Sequence, residues 1–467
     1  SDAWEAVWRM VFAWLAPGSP PPNLAWTPVV RPSYARTEAL PSSAENQALR
    51  RGTRWFFAAN LFVDRSWTDD RSDCPDRVGP PPEKDWSHGN GSAGMLEGFS
   101  SLIRSDGTQM MRWRLRTDCM CEAAMALAFD GVVERDVRSL RVAGNLGDFV
   151  YSASGATQGP PGDRENPAYG LLGWDLNAGQ GVYYGDDNAR ALLGTVAAAA
   201  LLKTARWNRH VLRGLLANLR TAGRLGFRGD RLDQASLNAS GWRSLFEADT
   251  VNYAPHFEAY LWACYLWAYR ETGYALFLDR ARTAIRMTME AYPARWRWTN
   301  GLQQERARML LPLAWLARVE DTPEHREWLR FMAAELTTRQ DPCGAIREEL
   351  GPEDQGFFGP PKSNEEYGTT EAPLIQSNED PLCDLLYTSN FAFIGLHEAA
   401  VATGDPFYAE AETRLAQFLC RIQIRTDAHR ELDGGWFRAF DFGRWEYWAS
   451  SADHGWGAWS VESGWTC

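Results

Sequence analysis

Acids, aromatic rings and occasional histidines or arginines gather at six places along this 467-residue chain, each ahead of a long apolar stretch. The first, WSHGNGSAGMLEGF, holds Trp86, His88 and Glu97; the second, RWRLRTDCMCEAAMALA, holds Arg112, Trp113, Arg116, Asp118 and Glu122. GVYYGDDNARALLG follows, with Tyr184, Asp186, Asp187, Asn188 and Arg190, and then ADTVNYAPHFEAYLW, with Asn252, Tyr253, His256 and Glu258. The fifth contains Tyr367, Glu371, Asp384 and Tyr387, and the last contains Asp453, His454, Trp456 and Trp459. Carboxylates in such company serve as proton donors, bases or nucleophiles, and histidine does the same near neutral pH. Helix capping accounts for a single Asp at a helix start. It does not account for acids and aromatics recurring together at six junctions.

Asp186-Asp187 is the strongest acidic pair. Neighbours on a helix point about 100° apart, so one faces inward while the other caps. Set opposite Asp118, Glu371 or Asp453, the inward acid completes a two-carboxylate arrangement able to split a glycosidic bond. Asp187 is read as its first member. The helix N-terminus should favour its ionised form, which suits a base or nucleophile, so the protonated donor is expected at Glu371 first and Asp453 second. His256 is the fourth catalytic candidate. The remaining junction residues (Trp86, His88, Arg112, Trp113, Asp118, Tyr184, Asp186, Asn188, Arg190, Asn252, Tyr253, Tyr367, His454, Trp456 and Trp459) are assigned to substrate binding. The histidines show neither His-x-His nor His-Glu-x-x-His spacing, and neither a phosphate-binding glycine loop nor a dinucleotide fingerprint occurs. No metal and no cofactor is expected.

The elements that must carry these residues are helical hairpins. A long run ends in Thr272-Gly273 or Thr403-Gly404 and a second run begins at once, as glycine just past a helix end allows. In each case the first run is apolar nearly all round and the second amphipathic, placing the first inside and the second outside. The pattern predicts pairs at 118–131 with 134–151, 184–204 with 206–222, 254–272 with 274–292, 303–319 with 323–340, and 384–403 with 405–424. Long loops at 152–183, 223–253, 341–383 and 427–454 separate them, and a short β-hairpin is expected around Asp106-Gly107. The final HGWGAWSVESGWTC reads as the start of one more inner helix, its hairpin incomplete, with the helix at about 43–63 offering the missing partner. Residues 1–63 are assigned to N-terminal helices and an extended linker, and 64–467 to one catalytic toroid. The outer helices start plainly, at Arg206, Tyr274, Thr322 and Asp405, so the polar residues concentrate on one face of the ring.

Composition narrows the ligand. The net charge of −12 argues against nucleic acid, and no apolar run approaches the roughly 18 residues a membrane span needs. The opening helix carries Glu5 and Arg9, unlike a signal peptide. Localisation stays open among bacterial cytoplasm, periplasm and exterior, as does assembly into a homo-oligomer. Trp is in excess, 23 residues, and an indole face stacks on the apolar face of a sugar ring. The eight cysteines are scattered without metal or redox spacing and read mostly as small buried hydrophobes.

The hairpin series, with YYGDDNARALLGTVAAAALL and YTSNFAFIGLHEAAVATGD, resembles the six-hairpin, (α/α)6-toroid glycosidase superfamily over roughly 85–467. Within it the chain looks most like the unsaturated-glucuronyl hydrolases and β-glucuronidases of bacterial polysaccharide breakdown. The resemblance implies an all-α toroid that hydrolyses a uronate-containing glycan with two inner-helix aspartates, the Asp186-Asp187 region supplying one. The chain departs from that pattern in its final hairpin and in the long 341–383 loop. Three other functions fit the same residues: a uronate lyase using Tyr253 or His256 as base, an epimerase using His256 and His454, and a non-catalytic glycan-binding toroid.

Overall fold

A computed structural model describes residues 2–24, 28–67, 72–81, 89–177, 181–369, 371–449 and 456–466. The inner helices are α3 (Thr117–Val133), α5 (Gly185–Leu201), α8 (Pro255–Thr272), α10 (Leu302–Val319), α12 (Asn390–Thr403) and the short α14 (Ser463–Thr466). Each packs on the next, and α14 closes the circuit between α3 and the π turn Leu385–Ser389 that leads into α12. Outside them lie α4 (Val137–Asp148), α6 (Asn208–Thr221), α9 (Ala275–Ala291), α11 (Pro323–Thr337) and α13 (Pro406–Ile422). The N-terminal α2 (Ala44–Ala58) packs against α13 and α3, in the sixth outer position. The chain is an (α/α)6 toroid. No helix among the described residues is long and apolar enough to cross a membrane.

The hairpins close as their residues dictate. Gly273 and Gly404 adopt left-handed φ values of 68° and 70°, and their N–H groups reach back to the carbonyls of Tyr269 and Ala400. Asp405, just past Gly404, caps α13, and Thr322 caps α11 after α10, each with proline at the first helical position. Inner helices pack against one another along the ring and approach closely where side chains vanish. A Cβ on Gly194 of α5 would lie 2.6 Å from the Cys121 carbonyl of α3, and one on Gly395 of α12 would lie 2.5 Å from Leu310 of α10. Part of the tryptophan excess serves the core: Trp55, Trp262, Trp296 and Trp298 are fully buried, each indole N–H donating to a backbone carbonyl. The seven described cysteines are all unpaired.

Strands are short and sit where chains enter inner helices. β3 (Gly98–Ile103) and β4 (Gln109–Arg112) form the hairpin turning at Asp106-Gly107, flanked by β2 (Val78–Gly79) and β10 (Val461–Glu462). β4 precedes α3, β10 precedes α14, β5 (Val182–Tyr184) precedes α5, and β7 (Leu382–Asp384) precedes the turn into α12. These ladders, antiparallel throughout, fix the rim from which the inner helices descend. Two sequence expectations change. The run at 384–403 begins as the π turn, with α12 proper starting at Asn390. The 223–253 loop contains a helix, α7 (Gln234–Glu247), interrupted at Gly241; its Ser, Asn and Gly content hides it from propensity.

Candidate active site

Asp118 and Asp187 open neighbouring helices, α3 and α5, and the close approach at Gly194 brings their carboxyls together. Arg116, on the last residue before α3, grips both: its Nη2 lies 2.8 Å from Asp118 Oδ2 and 2.7 Å from Asp187 Oδ1, while Nη1 reaches Glu97 at 3.2 Å. Arg190, one turn into α5, lies 2.8 Å from Asp118 and donates to both oxygens of Glu122 at 2.7 Å. Arg112 completes the cluster, donating to Glu97 at 2.8 Å with its guanidinium 3.6 Å from the Trp456 ring centroid.

The two aspartates are pushed in opposite directions. Burial would raise Asp118, but Arg116, Arg190 and a hydrogen bond with Asp187 hold it down at about 2. Burial, and then the charge of Asp118, push Asp187 well above its ordinary value, with Arg116 and Arg190 only partly opposing. Of the two, Asp187 is the one driven toward its neutral form. This corrects the sequence expectation of an ionised Asp187: the helix dipole is outweighed by burial and by a carboxylate at hydrogen-bond range. Glu97 is held at about 2, burial being overcome by Arg112, Arg116 and the Trp456 indole; burial and Glu97 drive Glu462 well up.

Asp186 points to the other side of the α5 mouth. Its Oδ2 lies 3.5 Å from Arg308 Nη1 on α10 and 3.7 Å from His256 Nε2 at the start of α8. Neither Asp186 nor Asp187 caps α5, contrary to the sequence reading. Burial, then Arg308 and Arg190, push His256 well below its ordinary value, keeping the imidazole neutral. Tyr387 packs edge-on to His256 at 5.4 Å and donates to Glu371 at 2.7 Å, and Asn300 donates to the same Glu371 oxygen at 3.0 Å. Half-buried rings continue the wall: Trp174 against Tyr184 (6.3 Å), Tyr184 against Phe257 (6.5 Å), and Phe257 against Phe357 (5.5 Å).

Of the residues named from sequence, Asp118, Asp186, Asp187, Arg112, Arg190, Tyr184, His256, Glu371 and Trp456 belong to this connected set. Trp86, His88, Asp453 and His454 lie outside the described residues. Others serve the scaffold. Trp113 is sealed in the core against Trp67, 4.6 Å between centroids. Asn188 brackets both backbone groups of Leu172 and the Tyr184 carbonyl. Asn252 donates to Glu258 and Asp230, and Tyr253 packs on Phe227 near Arg295. Trp459 donates to the Tyr447 carbonyl, and Tyr367 is exposed in its loop. The WSHGNGSAGMLEGF segment leads into strand β3 rather than an inner helix. The junction that sequence reading missed is the one before α10, TNGLQQERAR, which supplies Thr299, Asn300, Glu305 and Arg308. It lacks a flagging histidine or acid pair, although two arginines and a glutamate in one helical turn and a half were visible.

Ligand atoms of Asp118, Cys119 and Glu122 lie within 4.8 Å of one another, a spacing that suits an ion. Arg190 already neutralises both acids, and burial drives the Cys119 thiol well up, so the set fits a guanidinium better than a metal.

These shifts fix a pH profile for stability. Burial raises Glu258 and Glu305 to about 7 despite the N–H groups each accepts. Folded values above the ordinary 4.5 mean their contribution is fully present below 4.5 and lost as pH rises through 7. Glu97 and Asp118, at about 2, act oppositely: their contribution is present above about 4 and lost as pH falls through 2. Thermal melts across pH 3–8 should give the highest Tm near pH 5, falling by several degrees on both sides. A Tm still rising from pH 5 to 8 would contradict this assignment.

No family model matches the chain, and no curated protein matches it. Solved structures do. A D-mannose isomerase aligns with a TM-score of 0.55 at 11% identity, over 90% of this chain and 96% of that one. The cellobiose 2-epimerase of Spirochaeta thermophila aligns at 0.56 and 12% identity, over 91% and 93%. That of Bacillus thermoamylovorans aligns at 0.54 and 10%, over 91% and 96%. At such identities the likeness is one of fold, and it is the fold of an (α/α)6 toroid.

Proposed function

We propose that this protein is a carbohydrate-active enzyme, a glycoside hydrolase taking an acidic, uronate-containing substrate, with Asp187 as the proton donor. The observation that carries the reading is the Asp118–Asp187 pair, two buried carboxyls from neighbouring inner helices held on one Arg116 guanidinium nitrogen, with Asp187 pushed up and Asp118 held down. Two carboxyls driven apart in pKa at the rim of a ring are the arrangement that keeps an acid protonated near neutral pH. Asp187 would protonate the leaving glycosidic oxygen while Asp118 stays ionised and keeps the proton in place. Asp186, diverging across the same helix start beside neutral His256, would orient the attacking water and take the proton it loses as its oxygen bonds to the anomeric carbon. Arg112, Arg116 and Arg190 face two carboxylates held ionised, while Glu122, Asp187 and Glu462 are pushed toward neutrality. Arg116 is the most exposed of the three guanidiniums and suits a substrate carboxylate. The arc from Trp174 to Phe357 offers faces for sugar rings.

His256 favours a second reading. A neutral imidazole with one nitrogen toward the mouth can remove the proton beside a sugar carbonyl, and the similar folds include proteins described as a D-mannose isomerase and as cellobiose 2-epimerases. A single panel separates the readings. Uronate-terminated oligosaccharides, saturated and unsaturated, should yield new reducing ends. Deuterium entering C2 of a free or reducing-end sugar in D2O, with no new ends, would replace hydrolase by epimerase. New ultraviolet absorbance from a saturated substrate would instead mark a lyase, and tight binding without turnover a glycan-binding toroid.

A further inference from the structure

We propose that Thr299 and Glu305 are positioning residues that lock His256 in the tautomer with hydrogen on Nδ1, leaving the Nε2 lone pair facing the mouth. The argument is a count of hydrogens around the Thr299 hydroxyl. Three groups surround its oxygen: His256 Nδ1 at 3.0 Å, Glu305 Oε1 at 3.2 Å, and the Gln304 side-chain amide nitrogen. The amide nitrogen only donates, so it takes one hydroxyl lone pair. Above the pH of about 7 through which Glu305 ionises, its carboxylate only accepts, so it draws the single hydroxyl hydrogen. One lone pair remains for His256, and it requires a hydrogen on Nδ1.

The frame around the ring is rigid. Glu305 Oε2 accepts the backbone N–H of His256 at 2.6 Å, and its Oε1 accepts that of Thr299 at 3.0 Å. One carboxylate on α10 thus holds the start of α8 and the loop bearing Thr299. The competing tautomer, with hydrogen on Nε2, would need Asp186 as acceptor, but Asp186 Oδ2 is 3.7 Å away, beyond a normal hydrogen bond, and is engaged with Arg308. Of the other polar groups toward the ring, Arg308 and Arg190 can only donate, and the Tyr387 hydroxyl is directed to Glu371 at 2.7 Å. The tautomer follows whichever reaction the site performs; its catalytic consequence rests on the reading in which His256 accepts a proton.

The test is direct. Protein labelled with 15N-histidine, examined by long-range 1H–15N correlation at pH 8, should show His256 protonated at Nδ1, its signals assigned by their loss in His256→Gln. Thr299→Val should shift the ring toward the Nε2–H or a mixed tautomer, and Thr299→Ser should restore the parent pattern. On any substrate the parent turns over through His256, Thr299→Val should lower kcat about 10-fold or more with little change in KM, and the serine variant should recover it. An Nε2–H ring in the parent, or an unchanged ring in Thr299→Val, overturns the proposal. A parent that shows the Nδ1–H ring and loses no activity in His256→Gln refutes the catalytic reading of His256 alone and supports the tautomer lock by Thr299 and Glu305.

Discussion

Asp187→Asn is expected to lower kcat by about 1,000-fold while the protein melts at or near the parent temperature. The two halves follow from one feature. In the parent, burial and the charge of Asp118 push Asp187 toward its neutral form, so an asparagine replaces it by a neutral group of the same shape. Its amide can donate to Asp118 and its oxygen can accept from Arg116, as the carboxyl does at 2.7 Å. What the amide lacks is a transferable proton. Asp118→Asn acts differently: it removes the charge that, after burial, raises Asp187 most. Asp187 should then ionise at lower pH, and the basic limb of the pH–rate profile should move down by a unit or more, while Asp187→Asn abolishes that limb. Turnover of a glycan at near-parental rate by Asp187→Asn would reduce Asp187 to a ligand of Arg116.

That contrast also shows what the chain made legible. The ring of hairpins was readable because its signals are local: Gly273 and Gly404 past helix ends, proline in the first turns of α11 and α13, apolar runs too uniform for a surface. The junctions were readable for the same reason, since β4, β5, β7 and β10 lead directly into inner helices or the turn before one. The charge states were not readable, because they depend on which helices touch. Asp187 looks ionised beside its own helix N-terminus and becomes the protonated partner only when Asp118 arrives from 69 positions away. The missing α10 junction is a further case. Glu305 reads as an ordinary first-turn acid, and its value lies in reaching His256 and Thr299 across the seam between α10 and α8. Trp113 illustrates the reverse: it follows Arg112 directly, yet Arg112 joins the charged cluster and Trp113 packs into the core against Trp67.

Arg116→Gln should be the most damaging single change for the fold, costing about 3–5 kcal/mol, the usual effect of stripping one partner from buried charges. Arg116 contacts three carboxyls at once, Glu97 at 3.2 Å, Asp118 at 2.8 Å and Asp187 at 2.7 Å, and its charge, which burial opposes, is stabilised first of all by Asp118. Glu97 and Asp118 are wholly buried, so without Arg116 water cannot replace it. Arg190 and Arg112 remain, each on one of the two acids, which is why loss of folding is not expected. Arg116→Lys should fall between, since one ammonium cannot reach three carboxyls held by a planar fork. Adding Glu97→Gln to Arg116→Gln should recover part of the loss, with a coupling of about 1–3 kcal/mol in a double-mutant cycle of chemical denaturation. Equal and additive losses would mean that Glu97 and Arg116 do not share the charge balance described here. An Arg116→Gln protein that melts within a degree of the parent would mean that the acids at this rim are already protonated, and with them the argument for a donor at Asp187 would have to be rebuilt.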